Sequence, residues 1–378
     1  MGEKGIAIFP VLHYNKQDMT RSLFGGISLK RNHLLAGALA LTLLAGCTGK
    51  VVPVVSTPPE EEAYSRDTFA MDTLMSFTAY GPQGEAAVET AAKEVVRLDG
   101  LLSVTGENSE VWALNHAQGE PVKMGEDAIA LLTAAQSLGQ ATDGALDVTM
   151  YPLVKAWGFT TGSYQIPDED PIPALLENTG YDRIAIDGDT VTLPQGMEVD
   201  FGALAKGYAG EKCVKLLREQ GVTSAILRLS GNIQTIGAKP DGSPWRIAIR
   251  DPESLDSSGY PGVLELVDQA AVTSGNYERY FEADGVHYCH IMDPATGAPT
   301  QNSLTSVTIV GDSGTTCDGL STALFVMGRD RALDYWRADR DFEAILVEKD
   351  KNVWITPGLA NQFKLKEGLG YTLNILEE

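Results

Sequence analysis

The chain has 378 residues, 51 of them acidic and 29 basic, for a net charge of −22. A surface this acidic repels phosphate backbones and anionic headgroups, which excludes nucleic-acid binding and purely electrostatic membrane attachment. The four cysteines have no CxxC spacing, so a structural zinc site is not expected.

Near the N-terminus, Lys30 and Arg31 precede an apolar run from Leu34 to Leu44 that ends in Leu44-Ala45-Gly46-Cys47. A basic start, a short apolar stretch and small residues before the break form the pattern of a secretory signal. The run is too short for a permanent bilayer-spanning helix. Its end resembles a bacterial lipobox, so residues 1–46 are expected to be a signal peptide and Cys47 the lipidated mature N-terminus. An ordinary signal with a chance cysteine is the alternative, and both Met1 and Met19 stand as possible starts. The mature chain keeps 49 of 51 acidic and 24 of 29 basic residues, a balance of −25. The lipid, not the charge, would therefore hold the protein on the extracytoplasmic face of the cell membrane. Residues 47–65, Pro-rich and then acidic, read as a stalk, and 66–378 as one domain.

Within that domain, Val88, Ala91, Val95, Leu98 and Leu102 recur at helical spacing over 85–102. Ile129, Leu132 and Ala135 predict a helix over 126–141, stopped by Asp143-Gly144. Ile184 and Ile186, then Asp187-Gly188-Asp189, then Val191 and Leu193 read as a hairpin. A strand ending at Asp200 follows, then a helix over 203–220 and strands at 224–229, 245–250 and 262–267. The last elements are a strand at 304–310, a helix over 318–328 and a hairpin over 343–355 turning on Asp350-Lys351-Asn352. Hairpin-joined strands outnumber long helices, so the fold class is α+β rather than doubly wound α/β.

Four segments carry chemistry. In 273–297, Thr273-Ser274-Gly275-Asn276-Tyr277-Glu278-Arg279 and Tyr288-Cys289-His290-Ile291-Met292-Asp293-Pro294-Ala295-Thr296-Gly297 pack polar side chains between short apolar runs. Polar groups this dense near strand ends need partners, and a ligand cleft supplies them. Asp200-Phe201-Gly202-Ala203-Leu204-Ala205-Lys206-Gly207-Tyr208 opens a helix whose first N–H groups favour phosphate, with Lys206 adding charge. Close packing of small residues is the plainer reading there. Asp318 and Thr322 stand four apart on one helix face, and a carboxylate beside a hydroxyl suits Mg²⁺. Asp318 also reads as a simple N-cap. The fourth segment, Asp143-Gly144-Ala145-Leu146-Asp147-Val148-Thr149 ahead of Trp157-Gly158-Phe159, is a helix stop followed by a loop with an aromatic anchor.

Together the four segments resemble the motifs of the ApbE-type FAD:protein FMN transferases. Met71-Asp72-Thr73, Ser109-Glu110-Val111, Leu114-Asn115 and Leu229-Ser230-Gly231-Asn232-Ile233 agree with that resemblance, which covers essentially all of 66–370. It implies a single bilobed α+β domain with mixed and antiparallel sheets, flanking helices and an FAD cleft between the lobes. It places Mg²⁺ on Asp318, Thr322 and the backbone carbonyl of Ala203. It places FAD against Met71, Ala145, Leu146, Asp147, Asp200, Lys206, His290 and Ile291. The implied reaction cleaves the FAD pyrophosphate, releases AMP and passes FMN to a Thr hydroxyl of an acceptor flavoprotein, either an electron-transfer subunit or an FMN-binding domain.

Asp318 would then be catalytic through the metal and His290 the general base. A structural role for His290, orienting the Asp293-Pro294 turn, is the alternative. Arg279 reads either as a phosphate partner or as a surface ion pair, and Cys289 and Cys317 either as a disulfide or as buried thiols. The chain departs from the family pattern at Asp72, where Gly is usual, and at Leu146, where Phe is usual. Thr105 stands where some relatives carry a gating Tyr. Two rival functions use the same cleft: an Mg²⁺-dependent FAD pyrophosphatase and a non-catalytic flavin-binding lipoprotein. No Asp-x-x-[Ser/Thr]-x-Ala-Thr acceptor segment occurs in the chain, so self-modification is not expected.

Overall fold

The computed structural model describes residues 62–168, 171–251 and 259–377. The signal, Cys47 and nearly all of the stalk lie outside the described residues. The strand Ala63–Ala70 begins inside the stretch assigned to the stalk, so ordered chain starts before the boundary expected at 66.

A nine-stranded sheet organises the fold, and its strands cross it in chain order. They are Ala63–Ala70, Thr73–Tyr80, Ala225–Leu229, Asn232–Ile236, Ala270–Gly275, Leu304–Gly311, Glu343–Glu348, Asn352–Ile355 and Thr372–Ile375. Neighbours are antiparallel except the last two, which are parallel. The helices are α1 (Gly84–Leu102), α2 (Glu110–Asn115), α3 (Glu126–Ala141), α4 (Tyr151–Ala156), α5 (Pro171–Leu176), α6 (Ala205–Glu219) and α7 (Gly314–Ala338). The long helices α1, α6 and α7 pack together over one face of the sheet. A small sheet of Trp245–Ile249, Gly262–Leu266 and Phe363–Leu365 covers the other. Covered on both sides, Leu304–Gly311 is buried at every position, with Ile309 in one apolar cluster and Val310 in the other. The fold is α+β, as the sequence indicates.

All five apolar residues that set the period of α1 are buried, and α3 spans its predicted range. Two predicted boundaries fail for identifiable reasons. No strand ends at Asp200: the chain around Val199 is extended but pairs with a side chain instead of a strand. Asn115 accepts from the Val199 N–H (2.8 Å) and donates to the Val199 carbonyl (2.9 Å), imitating a ladder partner. Helix α7 starts four residues before 318, because Ser313 caps it by accepting from the Thr316 N–H. Asp318 therefore sits one turn inside the helix, which removes the N-cap reading. At Gly328, the predicted end, α7 kinks through a left-handed φ of 73° and continues.

The turn between the first two strands holds Met71 (φ 49°) and Asp72 (φ 58°) between the paired residues Ala70 and Thr73. Two consecutive left-handed residues make a tight hairpin turn that favours glycine at its second position. Asp72→Gly should therefore raise stability by about 1 kcal/mol, the scale of one strained non-glycine residue. Chemical denaturation of the two proteins checks this, and an unchanged or lower midpoint counts against it.

Candidate active site

Asp318 and Thr322 lie where α6, α7 and the strand Ala270–Gly275 meet. Gly207, in the first turn of α6, would place a Cβ 2.2 Å from the Gly314 carbonyl oxygen and 2.7 Å from the Asp318 Cβ. Only glycine permits this approach. It brings the Gly207 N–H to Asp318 Oδ2 at 2.7 Å. Spent there, that N–H does not return to the carbonyl four residues earlier, and no hydrogen bond among the described residues ends on the Ala203 carbonyl oxygen. Gln234 fills the notch left by Gly210 and Gly314 and donates to the Gly207 carbonyl at 2.9 Å. On α6, Glu211 accepts from Ser313 Oγ (2.8 Å), Thr315 Oγ1 (2.9 Å) and the Thr315 N–H (3.1 Å), fastening the first turn of α7.

Asp318 is 4% exposed. Burial pushes its carboxyl up to about 6, against the pull of Lys206 and the Gly207 N–H, and Glu278 pushes it the same way as burial. A buried carboxylate this costly to ionise gains from a cation. Beside it, Ser274 Oγ lies 2.7 Å from Ser321 Oγ and 3.2 Å from Thr322 Oγ1, and Ser321 Oγ donates to the Asp318 carbonyl at 2.8 Å. One carboxylate, one hydroxyl and one freed carbonyl are hard oxygen donors of the kind Mg²⁺ takes while keeping positions for substrate. Among the described residues no group of three or more His, Cys, Asp or Glu side chains converges, so the donor set does not suit a softer metal. The residues present fit the expected ion.

Two cations border this group. Lys206 touches only the Gly202 carbonyl (3.1 Å), and neither it nor Arg279 forms an ion pair among the described residues. The ion-pair alternative for Arg279 is thus not what the structure has. Both cations act on Asp200 and His290. Burial pushes the Asp200 carboxyl up while the Gly202 N–H (2.7 Å), Lys206 and Arg279 pull it down. Burial first, and then the charges of Arg279 and Lys206, lower His290 to about 4. Its ring is half-buried, with Nδ1 enclosed and unpartnered. The turn at Asp293-Pro294 closes without it, since Ala295 N–H donates to Asp293 Oδ1 (2.9 Å) and Gly297 N–H to the Asp293 carbonyl (2.9 Å). Trp157 Nε1 ties the aromatic anchor to that turn through the Gly297 carbonyl at 3.0 Å.

The loop after α3 is braced by its own hydrogen bonds. Asp147 uses both carboxylate oxygens locally: Oδ1 accepts from the Thr149 N–H (2.8 Å) and Thr149 Oγ1 (2.6 Å), and Oδ2 from the Tyr181 N–H (3.2 Å). Leu146 is buried in the main core against the surface that Gly319 leaves open. Leu146 is thus closed off from a ligand, while the half-buried Asp147 already carries three local hydrogen bonds. The loop's position is locked to the phosphate loop by Asp200 N–H donating to the Val148 carbonyl at 2.9 Å. Met71 is half-buried on the main core beside Asp72, whose charge reaches Asp200. Ile291 is buried, its carbonyl accepting from the Thr300 N–H at 2.8 Å. Cys289 and Cys317 are separate buried thiols. A surface groove of about 480 Å³ beside α6, around Arg218 and Asp268, contains none of the expected site residues.

Sequence reading missed the supports. Tyr208, beside Lys206 in the motif, donates to Asp127 Oδ1 (2.7 Å), and Arg97 and Lys212 pair with the same carboxylate at 2.7 and 2.9 Å. Although burial opposes them, these partners hold Asp127 down at about 2 and brace α1, α3 and α6 together. Asn115, Gln234, Glu211 and Ser274 likewise carried no assignment. Ser274, Asn115 and Tyr208 lay inside quoted motifs, whereas nothing local pointed to Gln234 or Glu211.

An α+β fold that sets a buried carboxylate, a hydroxyl and a freed carbonyl beside two cations without ion-pair partners among the described residues has the make-up of a phosphoryl-transfer protein. The chain belongs to the ApbE family, whose model matches residues 71–346. It is 35% identical over 329 residues to an FAD:protein FMN transferase of Vibrio cholerae, covering 85% of this chain and 95% of that one. A Treponema pallidum protein with the same name is 32% identical over 324 residues, covering 80% and 89%. The crystal structure of the ApbE protein from Thermotoga maritima aligns with a TM-score of 0.71 at 31% identity, covering 81% of this chain and 97% of that one.

Proposed function

We propose that this protein transfers FMN from FAD to a Thr hydroxyl of an extracytoplasmic acceptor flavoprotein, releasing AMP, with Mg²⁺ held by Asp318, Thr322 and the Ala203 carbonyl. The observation that carries the reading is the Gly207–Asp318 contact, which buries a carboxylate and frees a carbonyl beside Lys206 and Arg279. The names of the similar enzymes supply the substrates. A Mg²⁺ ion held by these donors would neutralise charge on the pyrophosphate. Lys206 and Arg279 seat and orient the phosphates, and Asp200 holds the phosphate loop through the Gly202 N–H. His290, neutral near pH 7, takes the acceptor proton as the Thr oxygen bonds to the FMN phosphorus and the bond to the AMP oxygen breaks. Water in place of Thr gives the pyrophosphatase reaction at the same site.

Mixing the protein, FAD, Mg²⁺ and a candidate FMN-binding acceptor domain should produce an FMN mass adduct on a Thr of the acceptor. Release of FMN and AMP with no adduct on any acceptor offered would favour the hydrolase instead. The protein works, on this reading, from a lipid anchor at Cys47 on the outer face of the membrane. Cys47→Ser should shift it from the membrane fraction to the soluble fraction. Unchanged membrane fractionation would refute the anchor.

A further inference from the structure

Ser274 belongs to the polar segment 273–297, yet neither the proposed metal set nor the proposed base uses it. Its hydroxyl bridges Ser321 Oγ (2.7 Å) and Thr322 Oγ1 (3.2 Å). Each hydroxyl has one proton to give, and this fixes the direction of the chain. Ser321 gives its proton to the Asp318 carbonyl at 2.8 Å. Ser321 Oγ must then accept from Ser274, and Ser274, its proton spent, must accept from Thr322. A helical Thr hydroxyl ordinarily returns to the carbonyl four residues earlier, which here is also that of Asp318. Thr322 makes no such bond, and Ser321 occupies that carbonyl instead.

We infer that Ser274 is a positioning residue: by drawing off the Thr322 hydroxyl proton, it turns the Thr322 lone pairs toward the cation. Without Ser274 the Thr322 hydroxyl rotates freely, and its proton faces the ion in part of its orientations. The three-hydroxyl chain thus sets the polarity of a ligand that it does not itself supply. This rests on the Mg²⁺ reading of Asp318 and Thr322. Partners of metal ligands typically change affinity 10–100-fold.

The test uses the full-length protein with Mn²⁺ as probe, its affinity read by electron paramagnetic resonance, alongside the Mg²⁺ dependence of FAD binding and turnover. Ser274→Ala should weaken Mn²⁺ at least about 10-fold and raise the Mg²⁺ needed for half-maximal rate, while kcat at saturating Mg²⁺ changes little. Ser274→Thr, which keeps the hydroxyl, should restore most of the affinity. Ser321→Ala should also weaken Mn²⁺, although Ser321 touches Thr322 only through Ser274, because Ser274 is then free to donate in the wrong direction. The melting temperature of the metal-free variants separates packing from polarity: a fall in parallel with metal affinity that Ser274→Thr does not rescue overturns the inference. Unchanged Mn²⁺ affinity in Ser274→Ala, with tight binding by the parent protein, also overturns it. No Mn²⁺ binding by the parent protein, with or without FAD, would instead remove the metal reading on which it stands.

Discussion

Asp318→Ala is expected to abolish flavin transfer at any Mg²⁺ concentration, a loss of roughly 10³-fold or more, the scale of removing a charge-stabilising group from a phosphoryl-transfer site. It is the one carboxylate among the proposed metal donors. Its removal has a second consequence, since the Gly207 N–H that it holds at 2.7 Å would be free to return to the Ala203 carbonyl. One substitution thereby disables two proposed ligands. Asp318→Asn separates the effects, because the amide oxygen still accepts from Gly207 while the charge is gone. It should keep the fold and lose Mg²⁺ affinity nearly as severely. Thr322→Ala removes a neutral oxygen and should weaken the metal less. A fully active Asp318→Ala protein would end the metal assignment.

The pH behaviour of Asp318 gives an independent reading. Its carboxyl sits at about 6 in the metal-free fold against an ordinary 3.8. Between those values the folded state holds a proton that the unfolded state has released, so this group's contribution is full below 3.8 and is lost as pH rises through about 6. Mg²⁺ binds the ionised form, so stabilisation by Mg²⁺ should grow over the same window. Thermal unfolding with and without Mg²⁺ at pH 5 and pH 7 measures the difference. Asp318→Asn should flatten it.

The fold was legible where one force dominates. The period of Val88, Ala91, Val95, Leu98 and Leu102 reports one buried helix face, and each of them is buried. The hairpin over 343–355 follows from its turn at Asp350-Lys351-Asn352, where Lys351 adopts φ 68°. Legibility failed where a side chain took over a backbone's task. Asn115 imitates a strand beside Val199 from 84 residues away, and no local pattern reports that. Ser313 competed with Asp318 as cap of α7, and both residue types suit the position, so spacing alone did not choose. At the site, residue types were readable but their allegiance was not. Asp147 carries the right chemistry for a ligand contact and spends it on Thr149 and Tyr181. Gly207 looked like a permissive small residue, whereas its missing Cβ lets α6 reach Asp318.

His290→Asn should lower the transfer rate by ~10²–10⁴-fold, the usual worth of general-base help, while FAD affinity stays nearly constant. The imidazole is held to about 4, first by burial and then by the charges of Arg279 and Lys206, so it is neutral and able to accept a proton at pH 7. A base held that low is weak. Two of its depressing causes are the cations proposed to seat the pyrophosphate, and a bound dianion would cancel their field. His290 should then climb toward its ordinary 6.5 in the substrate complex, closer to the range where a general base works best. The pH–rate profile for kcat should accordingly show an acid limb above about 4, and His290→Asn should remove it. Stability moves the opposite way from Asp318. With a pKa lowered from 6.5, His290's contribution is present above 6.5 and is lost as pH falls through about 4, a dependence that His290→Asn also removes. The turn at Asp293-Pro294 is closed by its own backbone and carboxylate bonds, so His290 is not needed to close it. An unchanged rate at pH 7 with an intact acid limb would exclude His290 as the base, and a parallel fall in rate, FAD affinity and melting temperature would make it structural after all.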